Sequence, residues 1–373
     1  MDLIKLSEPE FQVDNLAAFQ CALLNKEVGY VGTYIEEFKS LLGDYLNVGN
    51  LGLFSSGTSS IHLALLAIGI EPGDEVICQS LTFAASANPI SYLGANPVFV
   101  GSETSTWNMD PDFLEEAIID RKNKGKRVRA IIPVHLYGMP ARIKEIVAIG
   151  EKYGIPVIED AAEALGSFTA EGMCGAFGDF GILSFNANKI ITTGGGGALI
   201  TKDKLVLEKA CFFALQAKDP APHYEHSRLG YNYAFSNLNS VLGVQQFGDI
   251  EGKINRRRRA FNHYFERLSA IEYISFQKGI IGDFSNRWLT SILLPDASTV
   301  NELKQYLERN HIETRPVWKP MHIQPLYKNC AYYGDDFEVS LFEKGICLPS
   351  GSGLTIDQLE RTSQAILDFC RHV

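Results

Sequence analysis

From Asp74 to Ile158 the chain alternates short apolar, β-branched runs with segments of helical periodicity. Glu75 to Cys78, Pro97 to Val100, Ala130 to Val134 and Pro156 to Ile158 read as strands. Ala84 to Leu93, Pro111 to Ile119 and Ile143 to Tyr153 read as the helices between them. Such βαβ units predict an α/β fold with a mostly parallel sheet covered on both faces. In sheets of that kind, functional side chains gather beyond the carboxyl ends of the strands. The last of these strands delivers Glu159-Asp160-Ala161-Ala162-Glu163. Successive side chains at a strand end point opposite ways, so one of the two adjacent carboxylates faces a site and the other a helix or solvent. Locally, Asp160 suits a catalytic carboxylate or the N-cap of the following turn equally well.

Two further stretches carry chemistry. Ser55-Ser56-Gly57-Thr58-Ser59-Ser60 precedes Ile61, Ala64, Leu65 and Ile68, a small-residue loop opening an amphipathic helix. The free N–H groups and dipole of such a helix start suit an anion, although an ordinary serine N-cap has the same appearance. Second, an apolar run from Phe180 to Phe185 leads into Lys189, two threonines, four glycines (Gly194 to Gly197) and the β-type run Ala198 to Thr201. Consecutive glycines cost backbone entropy and belong where the chain passes close to something bulky or takes positive φ. A partly desolvated lysine beside such a bend has a lowered pKa and can form a Schiff base with an aldehyde cofactor. A solvated lysine on a hairpin is the alternative.

Elsewhere, helices are expected over 9–26, 34–45 and 205–217, and a long helical stretch from Ser236 to Leu268 contains the run Arg256 to Arg259. That run reads as a solvated or interface face. A domain boundary is placed inside the stretch, giving a large domain of 1–250 and a smaller C-terminal α/β domain of 251–373. The smaller domain is expected to hold strands at Trp288 to Leu294 and Ile312 to Arg315, and helices at Val300 to Asn310, Glu338 to Gly345 and Thr355 to Cys370. A net charge of −10 argues against general affinity for nucleic acid. The seven cysteines are scattered without CxxC spacing, which reads as neither a disulfide framework nor a metal site. With no signal-like N-terminus and no bilayer-length apolar segment, the expectation is a cytoplasmic protein without membrane contact.

The segments taken together resemble the DegT/DnrJ/EryC1/StrS sugar aminotransferases, pyridoxal-phosphate (PLP) enzymes of fold-type I. The resemblance runs nearly end to end. It rests on Ser56-Gly57-Thr58-Ser59, Gly73-Asp74-Glu75, Thr82-Phe83-Ala84, Pro133-Val134-His135, Glu159-Asp160-Ala161-Ala162, Lys189-Ile190-Ile191-Thr192-Thr193-Gly194 and Gly230-Tyr231-Asn232-Tyr233, in that order. It implies that Lys189 carries the cofactor and moves the proton between cofactor and substrate carbon. Asp160 would pair with the pyridine nitrogen, keeping the ring an electron sink. Gly57, Thr58, Ser59 and Ser184 would hold the phosphate, and Phe83 would cover one ring face, unless it is a plain core phenylalanine. Asn232 would reach the phosphate of a neighbouring subunit, which implies a homodimer with shared active sites.

Three positions depart from the family pattern. Glu163 stands where relatives often have glutamine and would add negative charge near the ring or its 3′-oxygen. Asn186 replaces a common histidine and Gly195 a common glutamate. The retained Lys189 disfavours the family's dehydratase branch. Arg315, Trp318 and Lys319, with Arg287 and Trp288 nearby in sequence, offer cations and flat surfaces for a nucleotide sugar; a salt-bridged arginine and a packed tryptophan suit the same residues equally well. The variant Phe185-Asn186-Ala187-Asn188-Lys189, with the stretch from Thr314 to His322 and Asn286-Arg287-Trp288-Leu289-Thr290, looks most like members that aminate C4 of a UDP-linked 4-keto-6-deoxy-N-acetylhexosamine, which implies glutamate as donor. A GDP- or dTDP-linked keto sugar, a 3-keto sugar and a non-catalytic cofactor-binding regulator are the alternatives. A lyase or desulfurase would want a reactive cysteine, and Cys174, the one cysteine between Asp160 and Lys189, reads as a structural thiol.

Overall fold

The computed structural model describes residues 2–11 and 16–371. Its centre is a sheet made of two four-stranded ladders, spliced by the parallel bridges Ile131–Val157 and Val134–Asp160. Across the sheet the order is Leu51–Phe54, Gly197–Thr201, Phe180–Ser184, Ile158–Asp160, Val128–Ile132, Glu75–Gln79, Asn96–Val100 and Ala331–Tyr333. Only Gly197–Thr201 runs against its two neighbours; the remaining pairings are parallel.

Both faces are covered, as the uninterrupted apolar strands predict. Val76 and Cys78 pack into one core with Ile61, Ala64 and Leu65 from the helix Gly57–Ile68. Ile77 between them packs into the opposite core with Leu114 and Ile118 from Pro111–Asn123 and Ile146 from Ile143–Tyr153. That is the period-two alternation of a strand buried on both sides.

Several boundaries moved. The strand expected at 156–158 is Ile158–Asp160, because Asp160 still pairs with Ile182 and bridges Val134. The helical stretch from Ser236 is two helices, Asn237–Phe247 and Ile250–Leu268, parted at Asp249, whose backbone leaves the helical region. Of the helix expected over 9–26, Ala17–Leu24 is formed, and residues 12–15 lie outside the described residues.

Past residue 270 a second, antiparallel sheet joins Ser275–Phe276, Thr290–Leu293, Gly345–Leu348 and Arg315–Pro316 in that order. Its core is shared by Tyr264 and Leu268 of Ile250–Leu268, Leu303 and Leu307 of Ala297–Arg309, and Ile366 of Ile356–Cys370. Ile4 also belongs to this core and bridges Ile312. Among the described residues no helix is long and apolar enough to cross a membrane.

Candidate active site

The parallel strands end at a cavity of 630 Å³, within the range of small-molecule sites. At one end the helix Gly57–Ile68 begins with a capping box: Ser56 Oγ accepts from the Ser59 N–H (3.0 Å), and Ser59 Oγ accepts from the Ser56 N–H (2.9 Å). The hydroxyl of Ser59 is thus occupied by the cap and buried, while Gly57, Thr58 and Ser184 line the cavity. The capping box takes the Ser59 N–H and the Ser56 C=O takes the Ser60 N–H, so the N–H groups of Gly57 and Thr58 are the ones at this helix start suited to an anion.

The glycine run explains how close this turn sits to the sheet. A Cβ on Gly197 would meet the Gly57 nitrogen at 2.4 Å, so the strand and the helix start touch backbone to backbone. Gly194 takes φ +79°, a left-handed value that side chains disfavour.

Lys189 follows the strand Phe180–Ser184 on a turn closed by its N–H donating to Asn186 C=O (3.0 Å). Its Nζ lies 3.4 Å from Glu163 Oε1 and 4.0 Å from the ring centre of Trp288. The solvated-hairpin reading is therefore excluded, since only 13% of the lysine side chain is exposed. Glu163 is buried, and its other oxygen accepts from the Tyr137 N–H at 2.7 Å. Burial pushes the Glu163 carboxyl up to about 7, the nearby Asp160 adds to that, and the Lys189 charge and the Tyr137 N–H oppose it.

Asp160 also lines the cavity. Its Oδ2 accepts from Ser86 Oγ (2.6 Å), which is in turn bonded to Thr82 Oγ1 (2.7 Å), and its Oδ1 accepts from the Ala162 N–H (3.1 Å). Glu159 points the other way, as strand alternation requires. It is fully buried and accepts from the N–H groups of Gly175 (2.9 Å) and Phe177 (2.6 Å) and from His135 Nε2 (3.1 Å). The Ala141 N–H donates to His135 Nδ1 (3.0 Å), which leaves Nε2 as the protonated nitrogen.

Aromatic side chains build the mouth. Phe83 is 60% exposed, so it is no core residue, and it lies 5.5 Å from the ring of Trp318. Trp318 meets Tyr137 at 5.1 Å and Trp288 at 6.3 Å. Arg315 lines the cavity but is not a free cation, because Glu313 Oε1 accepts from it at 2.8 Å, while Glu313 Oε2 accepts from the Leu6 N–H (3.1 Å). Lys319 and Asn232 lie outside the lining of this cavity, and Asn232 is exposed.

Several site residues were given no role by the sequence. Ser86 and Thr82 stand behind Asp160 from a helix start remote in sequence. Leu6 and Ser7 form one wall, brought there by the Ile4–Ile312 bridge. Cys174 is fully buried, and the cysteine that lines the cavity is Cys347, whose thiol burial pushes up to about 11. A thiol held that far from ionisation is a poor nucleophile. The arginine run is not uniformly solvated either: Arg257 is 1% exposed and reaches the floor of this site.

The amine, the carboxylate and the open helix turn suggest comparison with known proteins. The DegT/DnrJ/EryC1/StrS aminotransferase family matches residues 10–367. This chain belongs to that family. It is similar to EpsN of Bacillus subtilis (strain 168), whose name describes a pyridoxal phosphate-dependent aminotransferase, with 41% identity across 98% of this chain and 95% of that one. GDP-perosamine synthase of Escherichia coli O157:H7 is 34% identical across 95% of this chain and 98% of its own. The crystal structure of a DegT/DnrJ/EryC1/StrS aminotransferase from Brucella abortus superposes with a TM-score of 0.88 at 29% identity, over 95% of this chain and 94% of that one. The fold is that of the fold-type I PLP-dependent transferases, and the chain is a PLP-dependent sugar aminotransferase.

The residues present suit that cofactor. Gly57, Thr58 and Ser184, which would hold its phosphate, line one cavity with the Asp160 carboxylate and the Lys189 amine.

Proposed function

We propose that the protein transfers an amino group from glutamate to C4 of a UDP-linked 4-keto-6-deoxy-N-acetylhexosamine, giving a UDP-4-amino sugar. The observation that supports this most is the convergence of Lys189, Asp160 and the Gly57 turn on a cavity whose mouth is aromatic and carries Arg315. PLP supplies an aldehyde and an electron-withdrawing ring. Lys189 holds the cofactor through its Nζ and afterwards moves a proton at the substrate carbon. Asp160, fixed by Ser86 and the Ala162 N–H, would pair with the ring nitrogen and keep the ring an electron sink. Gly57, Thr58, Ser59 and Ser184 make up the phosphate end, with Thr58 and Ser184 facing the cavity and Ser59 holding the turn in shape.

Phe83 and Trp318 offer flat faces to the sugar and base, and Arg315 meets the diphosphate once released from Glu313. Lys319 contributes charge from outside the cavity lining. Asn232, exposed and absent from this chain's own cavity, reaches the corresponding site of a second copy in a homodimer. The cofactor residues come from 1–250, and the range 251–373 adds Arg315, Trp318 and Lys319 at the substrate end, beside Phe83, while its strand Ala331–Tyr333 joins the large sheet.

Borohydride reduction of the holoprotein followed by peptide mapping should place the label on Lys189; a label elsewhere refutes the assignment. Incubation with glutamate and a panel of UDP-, GDP- and dTDP-linked 4-keto sugars, with NMR of the products, tests the substrate. Preferred turnover of a GDP-linked sugar would replace the UDP reading, and the similarity to GDP-perosamine synthase favours that as the second candidate.

A further inference from the structure

Arg257 is a buried cation that the reaction as described does not use. It sits on the helix Ile250–Leu268, and among the described residues no carboxylate pairs with it. Its Nη1 donates to the Trp288 C=O (2.6 Å) and the Ser350 C=O (3.1 Å). Its Nη2 donates to Ser7 Oγ (3.1 Å) and the Asn188 C=O (3.3 Å). Burial lowers the guanidinium to about 10, which still leaves it charged at neutral pH. A buried charge without a bonded carboxylate is expensive; three carbonyls and the Ser7 hydroxyl replace the lost water, and the charge of Glu10 opposes the burial.

The four partners come from four separate parts of the chain, and Ser7, Asn188 and Trp288 all line the cavity. The Asn188 carbonyl is the centre of the arrangement. It precedes Lys189 directly, and it also accepts from Trp288 Nε1 (2.8 Å) and Ser7 Oγ (3.2 Å). The indole that makes the first of these bonds lies over Lys189 Nζ.

We propose that Arg257 is a positioning residue: through the carbonyls of Asn188 and Trp288 it fixes both the backbone of the reactive lysine and the indole packed on its amine. The inference rests on the reading of Lys189 as the cofactor-bearing amine. It makes the geometry of Lys189 depend on the N-terminal segment at Ser7 and on the loop carrying Ser350 after the strand Gly345–Leu348.

The test compares wild type with Arg257→Met, Arg257→Lys and Ser7→Ala, using the exposed Arg259→Met as the control on the same helix. In cofactor-free protein, amide hydrogen exchange over 185–193 should be faster in Arg257→Met and Ser7→Ala than in wild type, with Arg257→Lys between. In holoenzyme, kcat should fall roughly 10- to 100-fold in Arg257→Met, the scale of a displaced catalytic group, while KM for the sugar stays within about twofold. A purely structural arginine would instead lower stability and leave exchange at 185–193 and kcat of the folded fraction unchanged, and that result overturns the proposal. If Arg257→Met is insoluble, Ser7→Ala and Arg257→Lys decide, and wild-type exchange and turnover in both also overturn it. Borohydride labelling separates the two levels. Without label on the wild-type Lys189 peptide, the cofactor reading fails; with the label present and the variants unchanged, only the role of Arg257 does.

Discussion

Replacing Glu163 by glutamine should make the cofactor-free protein less sensitive to pH. Folding raises this carboxyl from its ordinary 4.5 to about 7, chiefly by burial. The folded state therefore binds more protons than the unfolded chain between those values. Stability from this group is complete below the unfolded value and is lost as pH rises through the folded one. Between about pH 5 and about pH 8, that single group removes roughly 2–3 kcal/mol of wild-type stability. Glutamine keeps the shape and the acceptor for the Tyr137 N–H (2.7 Å in the wild type) but does not titrate. Urea unfolding of both cofactor-free proteins at the two pH values measures the difference directly, since contributions from all other groups common to both cancel. Wild type should lose about 2–3 kcal/mol more than Glu163→Gln over that interval. Equal losses would show that the carboxyl is ionised throughout, with Lys189 (3.4 Å away) outweighing the burial.

Three further outcomes follow from the site. Asp160→Asn still accepts from the Ala162 N–H through its one carbonyl oxygen, and its amide N–H donates to Ser86 Oγ, whose own proton turns to Thr82. The charge is gone, so kcat should fall roughly 10²- to 10³-fold with little change in thermal stability, measured by steady-state kinetics beside a melting curve. Gly197→Ala puts a methyl at 2.4 Å from the Gly57 nitrogen, which should cost about 1–3 kcal/mol in unfolding experiments and weaken PLP binding in an absorbance titration. Glu313→Gln releases Arg315 from an exposed ion pair (2.8 Å), and inhibition by the free nucleoside diphosphate should tighten by about two- to fivefold at low salt.

The doubly covered sheet was legible because its signal is local: apolar strands and amphipathic helices follow one another in register with the sequence, and Ile143–Tyr153 was found with the expected ends. The opposed directions of Glu159 and Asp160 followed from strand alternation alone. Features set by long-range contact were not legible. The arginine run looks uniform in sequence, but the helical period turns Arg257 inward while Arg259 stays exposed. The break at Asp249 and the Glu313 partner that occupies Arg315 likewise depend on packing between remote segments. Ser59 shows the same limit in another way: its residue type suits a phosphate ligand, but the capping box had already claimed its hydroxyl.

The strand Ala331–Tyr333 completes the edge of the large sheet against Val98–Val100. During synthesis, then, that edge stays open long after its own neighbours have emerged from the ribosome, until the chain has been made past residue 333. Exposed strand edges recruit other chains. Truncations ending shortly before this segment should therefore self-associate even though most of the sheet has been made, and the nascent protein has a vulnerable interval in which chaperones would be expected to act.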